Sequence, residues 1–150
     1  MAIDTPTMRH IISNVFDEML ALPTQELGAP GDEFSNSRVV ASIRISGAAE
    51  ELIIVEAPSA TASLIGETMF DAEPGTLADE EIRDAVGEVV NMIGGNVKGI
   101  HDGDSQLSLP CVSEECGAAD DQWDGCELAA VSVSGLPLLV RWMDMCPAAT

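Results

Sequence analysis

Residues 77–100 carry apolar side chains at a helical interval. Ile82, Val86, Val89, Val90, Ile93 and Val97 fall on one arc when turned at about 100° per residue. A helix with such an arc cannot stand alone in water, because the arc must be covered by a second apolar layer. The rest of the chain supplies that layer as strands. Over residues 37–47, Val39, Ala41, Ile43 and Ile45 alternate with Val40, Ser42, Arg44 and Ser46, the period of a half-buried strand. Gly47 to Glu50 predicts a turn, and Glu51 to Ala57 the returning strand of a hairpin.

Two further helices and further strands follow from the same reasoning. Met8, Ile11, Ile12, Val15, Phe16, Met19 and Leu20 recur at helical spacing over 5–22, with Thr5 or Thr7 as the cap and Pro23 beyond the end. Pro23 to Asn36 reads as a loop rich in Gly, Pro and acid. A helix over 59–71 has Ala60, Ser63, Leu64, Glu67 and Thr68 in its period, with Ser63 and Glu67 outward. Thr76 predicts the cap of the long helix. Residues 105–113 read as one strand, forced to an edge or a bulge at Pro110, which has no N–H to give to a ladder. Ser113 to Gly125 reads as an exposed acidic loop, and 126–134 with 137–143 as a last hairpin turning at Ser134-Gly135. The expected fold class is α+β: an antiparallel sheet packed against helices, one of them long, in a single domain over 1–150 with about 1–4 and 147–150 frayed.

Composition narrows the partners. Formal net charge is −20, with one lysine, Lys98, among six basic residues. Phosphate backbones and anionic lipid repel such a surface, so neither nucleic acid nor a membrane is expected as a partner. No basic segment followed by an apolar run opens the chain, and no apolar run approaches the ~20 residues of a membrane span, so the expected location is the cytoplasm. The four cysteines at 111, 116, 126 and 146 form no C-x-x-C, and neither His10 nor His101 sits at zinc-finger spacing from them. Free thiols partly buried in strands are expected, with no metal site.

The polar side of the long helix is where chemistry shows. Glu80, Asp84, Glu88, Asn91 and Gly95 follow i, i+4 and i+3 steps along one stripe, flanked by Gly87 and Gly94. Each glycine inside a helix costs about 1 kcal/mol against alanine, so a helix kept for packing alone has no need of them on its surface. Glu88 is an anion and acceptor, whereas the Asn91 amide donates and accepts at once. A Glu and an Asn on an exposed helix face are usually only solvated, and glycines also serve close packing inside a domain.

The combination goes further than the stripe. Asp84-x-x-x-Glu88-x-x-Asn91, then Met92-Ile93-Gly94-Gly95-Asn96, then Leu107-Ser108-Leu109-Pro110 resembles the signature of the CheC/CheX/FliY phosphatases, in which an acid or Ser precedes E-x-x-N on a helix and a Pro follows roughly twenty residues later. One such motif in a chain of this length, after an N-terminal helix and a hairpin, resembles CheX. The acidic loop with Cys116 and Trp123 departs from the pattern. The resemblance implies a hydrolase that removes the phosphoryl group from the aspartate of a response-regulator receiver domain, in chemotaxis or another two-component circuit. It implies Asn91 orienting the attacking water and Glu88 pairing with the receiver's lysine. It implies Mg²⁺ on the receiver, no cofactor on this chain, and a homodimer. Gly94 and Gly95, with Gly87 and Asp84, are expected on the partner-binding face, the glycines giving clearance. The alternative is a non-catalytic receiver-binding or flagellar-switch-like module on the same fold. A hydrolase built on Glu80, Asp84 or Glu88 alone lacks the His or Ser that such chemistry needs.

Overall fold

The computed structural model describes residues 3–28, 34, 36–47, 50–100, 104–115 and 125–145. His101, Gly103, Cys116, Trp123, Cys146, most of the acidic loop and the tail from 147 lie outside them.

Seven strands form one antiparallel sheet: β1 (Thr24–Glu26), β2 (Arg38–Gly47), β3 (Glu51–Pro58), β4 (Ser105–Leu107), β5 (Cys111–Glu115), β6 (Glu127–Val133) and β7 (Leu136–Asp144). Their order is β1-β6-β7-β3-β2-β4, with β5 also paired to β2. Three helices, α1 (Thr5–Ser13), α2 (Ser59–Phe70) and α3 (Asp79–Ile100), cover one face. The fold class is therefore α+β, as the periodicities require.

Strand alternation sends Val39, Ala41, Ile43 and Ile45 of β2 and Ile53, Val55 and Ala57 of β3 to the helix side, where α3 lays Val86, Val89, Val90, Ile93 and Val97 over them. Each of those five α3 side chains is wholly buried, worth about 2 kcal/mol apiece in apolar area removed from water. On the opposite face Glu56 of β3 is fully buried between two arginines, Arg38 of β2 (Nε to Oε1, 2.9 Å) and Arg141 of β7 (Nε to Oε2, 2.6 Å).

Several local expectations are corrected. Of residues 1–4, expected to fray, Ile3 and Asp4 are held. Ile3 is buried, its carbonyl accepts from the Trp142 indole N–H at 2.8 Å, and Asp4 rather than Thr5 or Thr7 caps α1 by accepting from the Thr7 N–H at 2.9 Å. The helix from 5 changes to a π-helical turn over Asn14–Met19, which adds residues per turn and rotates Met19 out of the apolar face. Thr24–Glu26, read as loop, pairs with β6. In α2 the buried set is Thr61, Ala62, Ile65 and Gly66. Thr76 closes a turn on the Glu73 carbonyl (2.6 Å), while the start of α3 is held by Glu81, which accepts from the Ala78 N–H at 2.9 Å. The hairpin turn at Ser134-Gly135 is as expected, both residues having positive φ.

The strand expected over 105–113 is broken. Ile45 pairs with Leu107 and Ser42 with Cys111, so Ile43 and Arg44 stand opposite three residues, Ser108, Leu109 and Pro110. Ser108 stitches the break: its N–H donates to the Arg44 carbonyl (2.9 Å) and its hydroxyl accepts from the Arg44 N–H (3.0 Å). Of the thiols described, Cys111 is exposed on β5 and Cys126 is half-buried just before β6.

Candidate functional site

α3 positions the site. Its inward arc is fixed by the sheet, so its outward residues are fixed as well. Three acids, Asp79, Glu80 and Glu81, occupy its first turn and Lys98 its last, each with the favourable sign for the helix dipole. Arg83 reaches Glu114 of β5 at 2.9 Å, a half-exposed pair worth at most about 1 kcal/mol that nevertheless ties the helix to the sheet edge.

Asp84 and Glu88 are exposed, and Asn91 is half-buried. Glu88 and Asn91 stand one turn apart, about 4.5 Å along the axis. Neither makes a side-chain hydrogen bond or ion pair with the described residues. Asn96 differs: its amide donates to the Met92 carbonyl at 2.9 Å, one turn back on the same helix. The Asn91 amide therefore keeps both its donor and its acceptor for something outside the helix.

A groove of about 420 Å³ runs beside them. Asp84, Gly87, Glu88 and Asn91 form its helix wall, and the stitched break with Val112 forms the other. Sequence reasoning singled out Pro110 but not Ser108, Leu109 and Val112 as walls. The Leu-Ser-Leu-Pro run is the signal that marks them, since its proline forces the chain away from the ladder. On the far side of Glu88 a second groove, about 590 Å³, lies between α3, the end of α2 and the π-helical turn. Asp84 and Glu88 line both grooves and form the ridge between them.

The glycines separate into two kinds. A Cβ on Gly87 would lie 3.1 Å from Val112 Cγ2, and one on Gly94 3.1 Å from Leu107 Cδ2 and 3.2 Å from Ile43 Cγ2. Both are buried, and their missing side chains let β2, β4 and β5 approach the helix. At Gly94, expected to give clearance to a partner, the space is filled from within by Leu107 and Ile43. Gly87 lines the groove and packs on Val112 as well. Gly95 is exposed with nothing within 4 Å.

Among the described residues no three of His, Cys, Asp and Glu come together as a metal cage, and no helix is long and apolar enough to cross a membrane.

The family profile for the chemotaxis phosphatase CheX matches residues 39–122, which span β2, α3 and the stitched break. The chain belongs to the CheX family. Its CheX fold is shared with the chemotaxis protein CheX of Vibrio vulnificus at a TM-score of 0.73 and 20% identity, over 93% of this chain and 95% of that one. A CheX from Borrelia burgdorferi, in a CheX–CheY–BeF3–Mg²⁺ complex, superposes with a TM-score of 0.67 and 22% identity over 95% and 99% of the two chains. FliY of Thermotoga maritima gives 0.57 and 16% over 95% and 91%. No curated protein matches the chain. At these identities the solved structures speak for the fold, and the profile for the family.

Proposed function

We propose that this CheX-family chain hydrolyses the aspartyl phosphate of a CheY-like response-regulator receiver domain, with Asn91 and Glu88 as the residues that enter the receiver's cleft. The observation that carries this reading is the pairing of an exposed carboxylate with an uncommitted amide, one turn apart on a single groove.

In the reaction, water attacks phosphorus in line with the aspartyl oxygen. The P–O bond to the carboxylate breaks, the carboxylate leaves as an anion, and both protons of the water leave with inorganic phosphate, as H2PO4⁻. A carboxylate is a good leaving group, so no general acid is required. Catalysis then rests on positioning and charge stabilisation. Asn91 accepts a hydrogen bond from the attacking water through Oδ1 and keeps Nδ2 for a second contact. Glu88 pairs with the receiver's active-site lysine and fixes the helix in the cleft. The Mg²⁺ belongs to the receiver, and this chain contributes no cofactor. Support comes from the family match and from the Borrelia burgdorferi relative, whose structure contains CheY, BeF3 and Mg²⁺. A cytoplasmic location and a homodimer are part of the same proposal. For the dimer, β4 and β5 at one end of the sheet offer main-chain groups to a second strand.

The test is receiver dephosphorylation by wild type and Asn91→Ala. Loss of acceleration at an unchanged melting temperature is expected. Undiminished acceleration by Asn91→Ala removes the mechanism. Binding of the phosphorylated receiver by wild type without turnover favours the flagellar-switch-like binding module instead.

A further inference from the structure

Four large hydrophobic side chains stand exposed among the described residues: Met19 (60%), Phe70 (49%), Ile100 (46%) and Leu109 (87%). Single exposed apolar residues are ordinary and need no account. These are not scattered. Leu109 lines the first groove and Met19 and Phe70 line the second, and the two grooves meet at Asp84 and Glu88. Three of the four therefore flank the proposed catalytic pair, on both sides of it.

We infer that Leu109 on one flank and Met19 with Phe70 on the other form an apolar rim that grips the receiver around its phosphorylation site. The inference rests on the function proposed above and says how that partner is held.

Each rim residue sits on backbone that is already fixed. Leu109 lies between Pro110, whose ring sets φ, and Ser108, which is bonded to Arg44 through both its N–H and its hydroxyl. Phe70 ends α2 immediately before Asp71, whose left-handed conformation closes the helix with N–H bonds back to Glu67 and Thr68. Met19 ends the π-helical turn, which is anchored as the Leu22 N–H donates to the Phe16 carbonyl at 2.8 Å. A rim held this way loses little backbone freedom on contact, which keeps the ordering cost of binding down.

The charge of the surface selects the occupant. The ionisable residues lining the two grooves are Asp84 and Glu88, both acids, at the centre with apolar side chains outside them. That pattern fits a partner presenting a cation within an apolar surround, as a receiver does when its active-site lysine meets Glu88. It does not fit a second copy of this chain, because a two-fold contact across this surface would set the acids of one copy against those of the other. For a chain of net charge −20, apolar burial also offsets the long-range repulsion that an acidic receiver would feel.

The experiment measures steady-state phosphate release from receivers charged with acetyl phosphate, over a range of receiver concentrations. The variants are Leu109→Ser, Phe70→Ser, Asn91→Ala and, outside both grooves, Ile100→Ser. Leu109→Ser and Phe70→Ser are each expected to raise KM about tenfold, the size of one large apolar side chain's burial, with kcat retained. Asn91→Ala is expected to lose kcat with KM retained, and Ile100→Ser to change neither. Leu109 at 87% exposure has no packing to lose, so its variant stands even if Phe70→Ser melts early. An unchanged KM in Leu109→Ser beside an active wild type overturns the rim while leaving the proposed function intact. A change in oligomeric state on light scattering assigns the surface to a second copy and also overturns it. A wild type that releases phosphate from no receiver removes the proposed function, and the rim's occupant with it.

Discussion

Glycines 94 and 95 are neighbours in sequence and face opposite surroundings, so substituting each measures a different thing. At Gly94 a new Cβ would meet Leu107 Cδ2 at 3.1 Å and Ile43 Cγ2 at 3.2 Å, inside the roughly 3.5–4.0 Å at which carbon atoms sit comfortably. Gly94→Ala needs only a shift of a few tenths of an ångström from those two side chains, and the gain in helix propensity, about 1 kcal/mol, offsets much of the strain. Gly94→Val adds two more methyl groups against the same neighbours and gains less propensity. Overpacking at a buried site costs about 1–3 kcal/mol, so the valine variant should lose about that much. At this chain length each kcal/mol moves the melting temperature by about 2–4 °C, giving a fall of about 2–12 °C. Gly95→Ala meets nothing within 4 Å and should gain about 1 kcal/mol, a rise of about 2–4 °C. Thermal unfolding followed by circular dichroism reads both. A Gly94→Val that melts at or above wild type would refute the close contact of α3 with β2 and β4. Gly95 also has a functional arm, because the proposed function puts it on the face turned to the receiver. Gly95→Gln puts a good helix former there but fills the open space, so it should retain or raise stability while weakening receiver turnover.

Other expected outcomes concern charge. Glu56→Gln leaves Arg38 and Arg141 facing a neutral amide in a fully buried position, and should cost about 3–5 kcal/mol, read from the urea midpoint; a midpoint equal to wild type would show that the arginines find other partners. The Thr7 hydroxyl, and then its N–H, hold the Asp4 carboxyl below its usual pKa. A carboxyl lowered in the folded state stabilises above the unfolded value and ceases to as pH falls through the folded one. Asp4→Ala should therefore melt below wild type at neutral pH, and the gap should close as pH drops below about 4. A gap that widens in acid would contradict the cap. Association with an acidic receiver should strengthen as salt rises from low values, because the repulsion of a −20 chain is screened over about 10 Å at 0.1 M. Monotonic weakening on a salt titration would argue against it.

What was legible in the sequence was whatever periodicity decides. The α3 arc is buried as its spacing requires, and the same rotation puts Glu88 outward, because a helix fixed on one face is fixed on the other. The alternation in β2 was equally plain. α2 was harder because Ala, Ser, Thr and Gly differ too little in polarity to mark a face, and its burial settled on Thr61, Ala62, Ile65 and Gly66. β1 is three residues long, Thr24 to Glu26, with no apolar pattern; it is a strand because β6 offers it a ladder. Met19 left the apolar face through a π-helical turn that no spacing rule anticipates. At the site, the outward pair could be read but the inward glycines could not. A sequence shows that Gly87 and Gly94 lack side chains, and only tertiary contact shows that Val112, Leu107 and Ile43 take the space. The exposure of Leu109 was hidden in the same way, behind a serine that closes the gap in the ladder.

α3 divides into two faces under different constraint. The inward positions, Gly87 and Gly94 among them, are constrained by neighbours on the sheet, whereas Asp84, Glu88 and Gly95 are exposed and the half-buried Asn91 makes no side-chain hydrogen bond with the described residues. Mutational tolerance is therefore one-sided. On the roles proposed for them, a lineage carrying this scaffold can discard the carboxylate and the amide by two substitutions and still inherit an intact domain, so descendants without turnover but with the same shape are an accessible outcome of drift.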